Sequence, residues 1–162
     1  MEIVVVGCGK VGKTLVEHLA MEGHNVVVID TNQKNVEEIV NSYDVMGICG
    51  NGAIHDIQME AGVNKADLFI SVTSSDEVNL ISCLIARKIG AKNLIARVRN
   101  PDYASQISFM RDGLGISLMI NPEKAAADEI ARILRFPSAL KVDTFAKGLT
   151  FISAKSTRPF AK

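Results

Sequence analysis

The sequence predicts an α/β fold, in which a parallel sheet carries helices on both faces. Short runs rich in β-branched residues alternate with segments of helical periodicity over about the first 120 residues. The apolar content comes from Val, Ile, Leu and Ala, as in buried parallel strands, and Trp is absent. The first apolar run ends in three closely spaced glycines, which is typical of a tight turn from a strand into a helix.

Six strands are predicted, and a helix separates each strand from the next. The strand-like runs cover residues 3–6, 26–29, 45–48, 68–72, 94–98 and 117–120. The helix candidates lie near 11–22, 33–41, 53–61, 76–89 and 102–112. Regular alternation of this kind predicts parallel strands with right-handed crossovers. The expected architecture is a Rossmann-like, doubly wound six-stranded parallel sheet.

A further helix is predicted after the sixth strand. Pro122 suits the first turn of a helix that covers about 123–135 and ends before Pro137. The residues after Pro137 include strand candidates such as 149–154, but they are too few for a second core. The predicted parts are a dinucleotide-binding domain (1–121), a C-terminal crossover helix (122–137) and an arm or the start of a second domain (138–162).

Charge and composition argue against several classes of function. Eighteen basic residues balance eighteen acidic ones, so nothing attracts the chain to nucleic acid in general. The cysteines form no C-x-x-C pair and the histidines lack metal-ligand spacing, which indicates reduced thiols and argues against structural zinc. Neither a signal peptide nor an apolar run of about 18 residues, as a membrane span requires, is predicted.

The first strand-to-helix turn, GCGKVG at residues 7–12, matches G-x-G-x-x-G. Gly7 would allow the tight turn, Gly9 the close approach of a pyrophosphate, and Gly12 the packing of the helix on the strand. The N-terminus of the helix would offer N–H groups to phosphates, and Lys10 would add a positive charge. The alternative is a tight turn that binds no ligand.

Asp30 ends the second strand, close to the position about 20 residues beyond the glycines where this fingerprint has a carboxylate. A carboxylate there accepts hydrogen bonds from the adenosine ribose and repels a 2′-phosphate. It therefore predicts NAD(H) or another adenosine nucleotide rather than NADP(H). Asp30 and Thr31 also precede a helix, so a helix cap is an alternative that is compatible with ligand binding.

Polar residues also follow the third and fourth strands, at the ends where this architecture binds ligands. These clusters are Gly50-Asn51-Gly52 after the third strand and Thr73-Ser74-Ser75-Asp76 after the fourth, in which Thr73 and Ser74 are favoured as ligand contacts. Either cluster could instead form only a turn and a helix cap. Arg97 interrupts an apolar strand, so its charge requires an anionic ligand or a carboxylate from a neighbouring subunit, unless the side chain simply reaches solvent.

Catalytic groups are missing from the sequence. Neither Tyr43 nor Tyr103 is followed by Lys at the Tyr-x-x-x-Lys spacing, and no G-x-S-x-G occurs. Residues 7–14 satisfy the P-loop pattern literally through Lys13, but Asp30 has no role in a P-loop. ATP therefore stays open as a ligand. A binding and sensing function is favoured. The alternatives are a fragment of an NAD-dependent oxidoreductase and an interaction module whose nucleotide site is vestigial.

The chain resembles the nucleotide-binding RCK domain (also called KTN or TrkA-N) of Trk-type potassium uptake regulators. The matching stretches are VVVGCGKVG, VVVID, GNGA, AGVNKADLFISVTSSDEVNLISCLIARKIGAKNLIARVRNP and INPEKAAADEIARIL. They cover nearly all of residues 1–135. The run AD-x5-T-x2-DE-x-NL, followed by ARV and NPE, is specific to that family.

This resemblance implies a non-enzymatic, cytosolic domain beneath a membrane-embedded potassium translocation subunit, whose transport it gates when nucleotide binds. The implied ligand is NAD(H), or alternatively ATP, ADP or AMP. The residues that the resemblance assigns to the nucleotide are Gly7, Cys8, Gly9, Lys10 and Val11 at the pyrophosphate, Asp30 at the ribose, Thr73 and Ser74 beside the nucleotide, and Arg97 near the phosphates.

The resemblance also implies assembly. Helix 123–135 resembles the crossover helix through which these domains form dimers or larger homo-oligomers. Glu123 matches a carboxylate that lies near a bound cation in some relatives, although it could be only an acidic residue of the first helical turn. Such regulators normally continue into a small ligand-binding domain. This chain is therefore expected either to be truncated or to find that domain on another chain.

Overall fold

The computed structural model describes residues 1–100, 102–103, 106, 113, 115–135, 139–145 and 149–154. The chain divides into two compact units, Met1–Asn121 and Pro122–Lys162. The helix expected near 102–112 lies mostly outside the described residues.

The first unit holds a parallel sheet that has six strands among the described residues. These are β1 (Glu2–Val6), β2 (Asn25–Asp30), β3 (Met46–Cys49), β4 (Leu68–Ser71), β5 (Asn93–Arg97) and β6 (Leu118–Ile120). Their order is β3-β2-β1-β4-β5-β6, and every pair is parallel. This confirms the predicted Rossmann-like, doubly wound sheet. The order reverses between β1 and β4, which is where such sheets bind ligands.

Helices cover both faces of this sheet. They are α1 (Lys10–Met21), α2 (Gln33–Ser42), α3 (His55–Glu60), a 3-10 turn (Val63–Lys65) and α4 (Asp76–Ile89). Side chains alternate across a strand, so β1 contributes to two separate hydrophobic clusters. Ile3 and Val5 share a cluster with Val16 of α1, whereas Val4 and Val6 share one with Cys83 of α4. Burial from both sides explains why β1 reads as a continuous apolar run.

The second unit contains one helix and a hairpin among the described residues. The helix α5 covers Pro122–Arg135, and the antiparallel strands are β7 (Ala139–Phe145) and β8 (Leu149–Ala154). The helix and the strand near 149–154 agree with the prediction. In the part of the chain that the structure describes, no helix combines the length and the apolar character needed to cross a membrane.

Candidate functional site

The glycine loop between β1 and α1 packs against the loop that follows β4. Gly7 has φ of 100°, which favours glycine, and an added Cβ would lie 2.8 Å from the backbone nitrogen of Thr73. At Gly12 an added Cβ would overlap the carbonyl oxygen of Gly7. Both glycines are therefore required for close packing. The tight fit at Gly7 also brings the predicted phosphate-binding loop beside Thr73, which is predicted to contact the nucleotide.

Gly9 differs from the other two glycines of the motif. An added Cβ would meet no heavy atom within 4 Å. Gly9 is also the N-cap of α1, where no side chain caps the helix and no acidic residue occupies the first turn. The open side of Gly9 and the N–H groups of the first turn together form a surface that suits an anion.

Asp30 is hydrogen-bonded to the glycine loop. Its Oδ2 accepts from the backbone N–H of Cys8 at 2.6 Å, and its Oδ1 accepts from the backbone N–H of Asn32 at 2.8 Å. The cap of α2 is Asn32, whose Oδ1 accepts from Lys34 N at 3.0 Å, so Asp30 and Thr31 do not cap this helix. A carboxylate has about four acceptor positions, which leaves capacity for ribose hydroxyls.

Thr73 and Arg97 lie together at the ends of β4 and β5. Arg97 Nη1 donates to the carbonyl oxygen of Thr73 at 3.4 Å, and the Arg97 side chain is half-buried. Ser74 is exposed, and its carbonyl accepts from Arg99 Nη2. The guanidinium of Arg97 thus lies beside the predicted nucleotide loop, although its side chain is also partly open to solvent.

The loop after β3 also reaches the end of β1. An added Cβ at Gly52 would overlap Val6 Cγ1, so the loop passes directly over that side chain. Asn51 is exposed, and its Oδ1 accepts from Ala53 N at 2.9 Å, which closes a turn. Gly52 is thus brought to the ligand edge of the sheet by packing, whereas Asn51 has the turn role that the sequence left open.

The remaining residues predicted to bind the nucleotide are exposed at the surface or could contact it only through their backbone. Lys10 and Thr31 are exposed, and Val11 is half-buried against the core. Cys8 is buried, and burial, together with the charge of Asp30, raises its pKa to about 12. Its thiol is therefore protonated at neutral pH, and Cys8 can serve a ligand only through its backbone.

Cys49 lies at the same edge of the sheet as Asp30. It is exposed, it pairs with Asp30 in the β2–β3 register, and its Sγ lies 3.7 Å from the carbonyl oxygen of Thr31.

Glu123 belongs to the second unit, in the first turn of α5. Among the residues that the structure describes, no group of three or more His, Cys, Asp or Glu side chains could hold a metal ion. The cation predicted near Glu123 therefore stays a prediction.

The position of Lys13 bears on whether the glycine motif is a dinucleotide-binding fingerprint or a P-loop. A P-loop lysine would have to reach the phosphates. Instead, Lys13 Nζ lies 2.5 Å from Glu38 Oε2 on α2, and it is already inside α1, which begins at Lys10. The sheet order is also that of the dinucleotide fold. The geometry therefore favours the dinucleotide fingerprint over a P-loop.

Two residues of α4 organise this site: Asn79, which the sequence did not predict, and Asp76, which was predicted only as part of the polar cluster after the fourth strand. Asn79 is fully buried and its amide bonds to Thr73. Asp76 is nearly buried, and its Oδ2 accepts from the backbone N–H groups of Arg99 and Asn100 at 2.8 and 2.7 Å. Both occur in the stretch SSDEVNL, where polar residues in the first two turns of an otherwise amphipathic helix were a usable signal.

Comparison with known proteins identifies related sequences. The family model of the TrkA-N domain matches residues 3–122. A Trk system potassium uptake protein TrkA homolog from Archaeoglobus fulgidus is 42% identical over 91% of this chain and 34% of its own length. The Trk system potassium uptake protein TrkA of Halomonas elongata is 36% identical over 95% of this chain and 34% of its own. The chain thus spans about a third of the length of these curated relatives.

Solved structures share the fold. The TrkA-N domain of the inner membrane protein ybaL from Escherichia coli superposes with a TM-score of 0.73, at 24% identity over 82% of this chain and 96% of that one. The GsuK channel bound to NAD gives 0.62, at 21% identity over 74% of this chain and 21% of that one. The Kef C-terminal domain of Shewanella denitrificans in its AMP-bound form gives 0.66, at 18% identity over 83% and 81%.

Proposed function

Since the chain belongs to the TrkA-N domain family, we propose that it is the nucleotide-binding regulatory domain of a potassium uptake system. An adenosine nucleotide binds at the carboxyl ends of β1, β2 and β4, and its presence or identity gates a membrane-embedded potassium translocation subunit. A ligand gates only through its different affinity for two conformations. The domain would act in the cytoplasm, at the inner face of the membrane, through that partner.

The observation that carries this proposal is the hydrogen bond between Asp30 Oδ2 and Cys8 N. It fixes the acidic residue expected at the ribose to the loop expected at the pyrophosphate, so one dinucleotide could contact both. The close approach of Gly7 to Thr73 adds a third loop at the same edge of the sheet. Arg97, which contacts Thr73, supplies a positive charge beside it.

NAD(H) is the ligand that we favour, with ATP, ADP and AMP as alternatives. All of them share the adenosine part that Asp30 would hold. One structural neighbour is described as bound to NAD and another as bound to AMP, which supports the choice of this ligand class. A 2′-phosphate would meet the negative charge of Asp30, so we expect NADP(H) to bind poorly.

We further propose that the domain senses its ligand and does not catalyse a reaction on it.

We also propose that the domain works as a dimer or larger homo-oligomer that is joined through α5. The side chains of Ile130, Ile133 and Leu134 are 59%, 57% and 73% exposed. Their spacing, together with Ala126 and Ala127, puts them on one face of α5. Exposed apolar residues grouped in this way suit burial against a second copy. The cation near Glu123 is part of this proposal.

Calorimetric titration of the purified chain with NADH, NAD, ATP, ADP, AMP and NADPH tests the proposed function. We expect binding of at least one adenosine nucleotide, weaker binding of NADPH, and loss of binding in Asp30→Ala. Asp44→Ala, at an exposed aspartate that follows α2, is the matched control and should bind like the native chain. If none of the six nucleotides bound, the glycine loop would be structural only. Turnover of bound NAD with a hydroxy substrate would instead favour an oxidoreductase.

A further inference from the structure

Strands β4 and β5 separate just before the predicted nucleotide site. Their register ends at the pair Ser71 and Ala96, so the backbone groups beyond it need other partners. The side chain of Asn79 supplies them from α4. Its Nδ2 donates to the carbonyl oxygens of Thr73 at 3.3 Å and Arg97 at 2.9 Å. One amide thus bridges the two strands at the point where their own ladder stops.

The amide oxygen of Asn79 is committed to the same loop. It accepts from the backbone N–H and the hydroxyl of Thr73, both at 2.8 Å, and from the hydroxyl of Ser71 at 3.0 Å. Asn79 is fully buried, and all its donors and its acceptor have partners. A buried network of this kind favours one arrangement, because every broken bond leaves a desolvated polar group.

Charged side chains join the same two loops. Asp76 Oδ2 accepts from the backbone N–H groups of Arg99 and Asn100, and Arg99 Nη2 donates to the carbonyl of Ser74. Arg97 Nη1 donates to the carbonyl of Thr73. Side chains of residues 73–76 thus bond to the backbone of residues 97–100, and side chains of residues 97–100 bond to the backbone of residues 73–76.

Loop 97–100 is bonded in turn to the end of β6. Val98 N donates to the carbonyl of Ile120 at 2.8 Å, and Asn121 Nδ2 donates to the carbonyl of Arg99 at 3.1 Å. Asn121 is the last residue of the first unit. A displacement of Thr73 would consequently disturb a series of hydrogen bonds that runs through residues 97–100 to Asn121.

On these contacts, we propose that Asn79 is a positioning residue, which holds Thr73 against Arg97 and so couples nucleotide occupancy to the conformation of residues 97–100. The inference rests on the proposed nucleotide-binding function and goes beyond it. Asn79 acts through Thr73 and is not itself expected to touch the ligand. If its role were only to stabilise the fold, its replacement would change stability and leave nucleotide affinity unchanged.

The matched pair Asn79→Asp and Ser82→Ala separates these possibilities. Asn79→Asp keeps the shape and the accepting oxygen but replaces two donors by an acceptor. Ser82 is on the same helix and is also fully buried, and its hydroxyl forms no hydrogen bond among the described residues. With ATP and NADH as probes, below the unfolding transition of both variants, we expect Kd to rise about tenfold or more in Asn79→Asp only. An unchanged Kd in folded Asn79→Asp would overturn the proposal.

Hydrogen exchange on the native chain gives a second test that stands even if Asn79→Asp does not fold. Nucleotide binding should slow exchange at the backbone amides of Arg99 and Asn100, which donate to Asp76. Protection confined to residues 7–12 and 73–75 would refute the coupling while the proposed function stands. If the native chain bound none of the six nucleotides named above, the proposed function would be refuted, and the coupling with it.

Discussion

Asp30 and Cys8 are 22 residues apart in the chain, yet a 2.6 Å hydrogen bond joins the carboxylate of one to the backbone N–H of the other. The bond connects the end of β2 to the loop after β1. Because parallel neighbouring strands end at the same edge of the sheet, their following loops can share such contacts.

This relationship makes Asp30→Asn a test of ligand selectivity. The amide has the same size but lacks the charge, so the penalty on a 2′-phosphate should fall. We expect the ratio of NADPH to NADH affinity to rise by about tenfold or more, since repulsion between two charges a few ångströms apart is worth about 1–4 kcal/mol. Competition titrations measure the ratio, and Asp56→Asn on α3 is the control. An unchanged ratio would mean that Asp30 does not face the ribose.

The glycines allow binding to be separated from stability. Gly9→Ala should cost less than about 1 kcal/mol of unfolding free energy, because Gly9 has an ordinary φ and open space beside it. It should nevertheless weaken nucleotide binding, since the new methyl group would occupy the face that the pyrophosphate approaches. Gly12→Ala should cost about 1–3 kcal/mol or more, because its Cβ would overlap Gly7. Urea unfolding and calorimetry measure the two effects. Native affinity in Gly9→Ala would contradict the predicted phosphate position.

Removing the charge of Lys10 should change the affinity for ATP, whereas removing the charge of Lys13, three residues later, should not. Lys13→Met should leave ATP affinity unchanged and cost at most about 1 kcal/mol of stability, because Lys13 pairs with Glu38 at the surface. Lys10→Met should weaken ATP binding, and the difference from the native chain should shrink at high salt. Titrations at low and high salt measure both. A large loss of affinity in Lys13→Met would restore the P-loop interpretation.

Alkaline pH should destabilise the fold through its buried thiols. Burial, with the charge of Asp30, raises the pKa of Cys8 from 9.0 to about 12, and burial alone raises the pKa of Cys83 to about 12. Between pH 9 and about pH 12 the unfolded chain loses these protons first, so the unfolding free energy falls as pH rises. Cys83→Ala should make the fall shallower, whatever its effect at pH 7. Urea unfolding at pH 7, 9 and 10 gives the slopes, and equal slopes would contradict the assignment.

The apolar face of α5 predicts the oligomeric state. Ile130→Lys should shift a dimer towards the monomer, because a charge would be buried in the apolar contact. Asp128→Lys introduces the same residue on the polar face of the helix and should leave the dimer intact. Light scattering after gel filtration measures the mass. A native chain that is already monomeric at high concentration would argue against assembly through α5.

Much of the fold could be predicted from local patterns. The β-branched runs predict the strands, the helical spacing of apolar residues predicts the helices, and the glycines predict the turn between them. Each of these signals depends only on residues that are close together in the sequence. Asp30 could be predicted because the dinucleotide fingerprint defines its distance from the glycines. The P-loop ambiguity could not be resolved in this way, since Lys13 satisfies the pattern, and the evidence against a P-loop comes from the order of the strands and from the contact of Lys13 with Glu38, 25 residues away.

Asn79 escaped prediction for a related reason, as did the bonds that Asp76 makes, although Asp76 itself belongs to the predicted polar cluster after the fourth strand. In sequence they read as ordinary polar residues in the first two turns of a helix. Their importance comes from burial and from partners 18 to 24 residues further along the chain, which are set by the separation of β4 and β5. Only the assembled sheet determines which of the polar residues in SSDEVNL face inward.

Cys49 gives this protein an attachment point for a spectroscopic label beside its candidate site. It is the exposed thiol of three, since Cys8 and Cys83 are buried, and it pairs with Asp30 across the β2–β3 ladder. A maleimide fluorophore would therefore attach at one position without any engineered cysteine. Its emission would report ligand binding from one strand away, and stopped-flow mixing could follow the arrival of the nucleotide in real time.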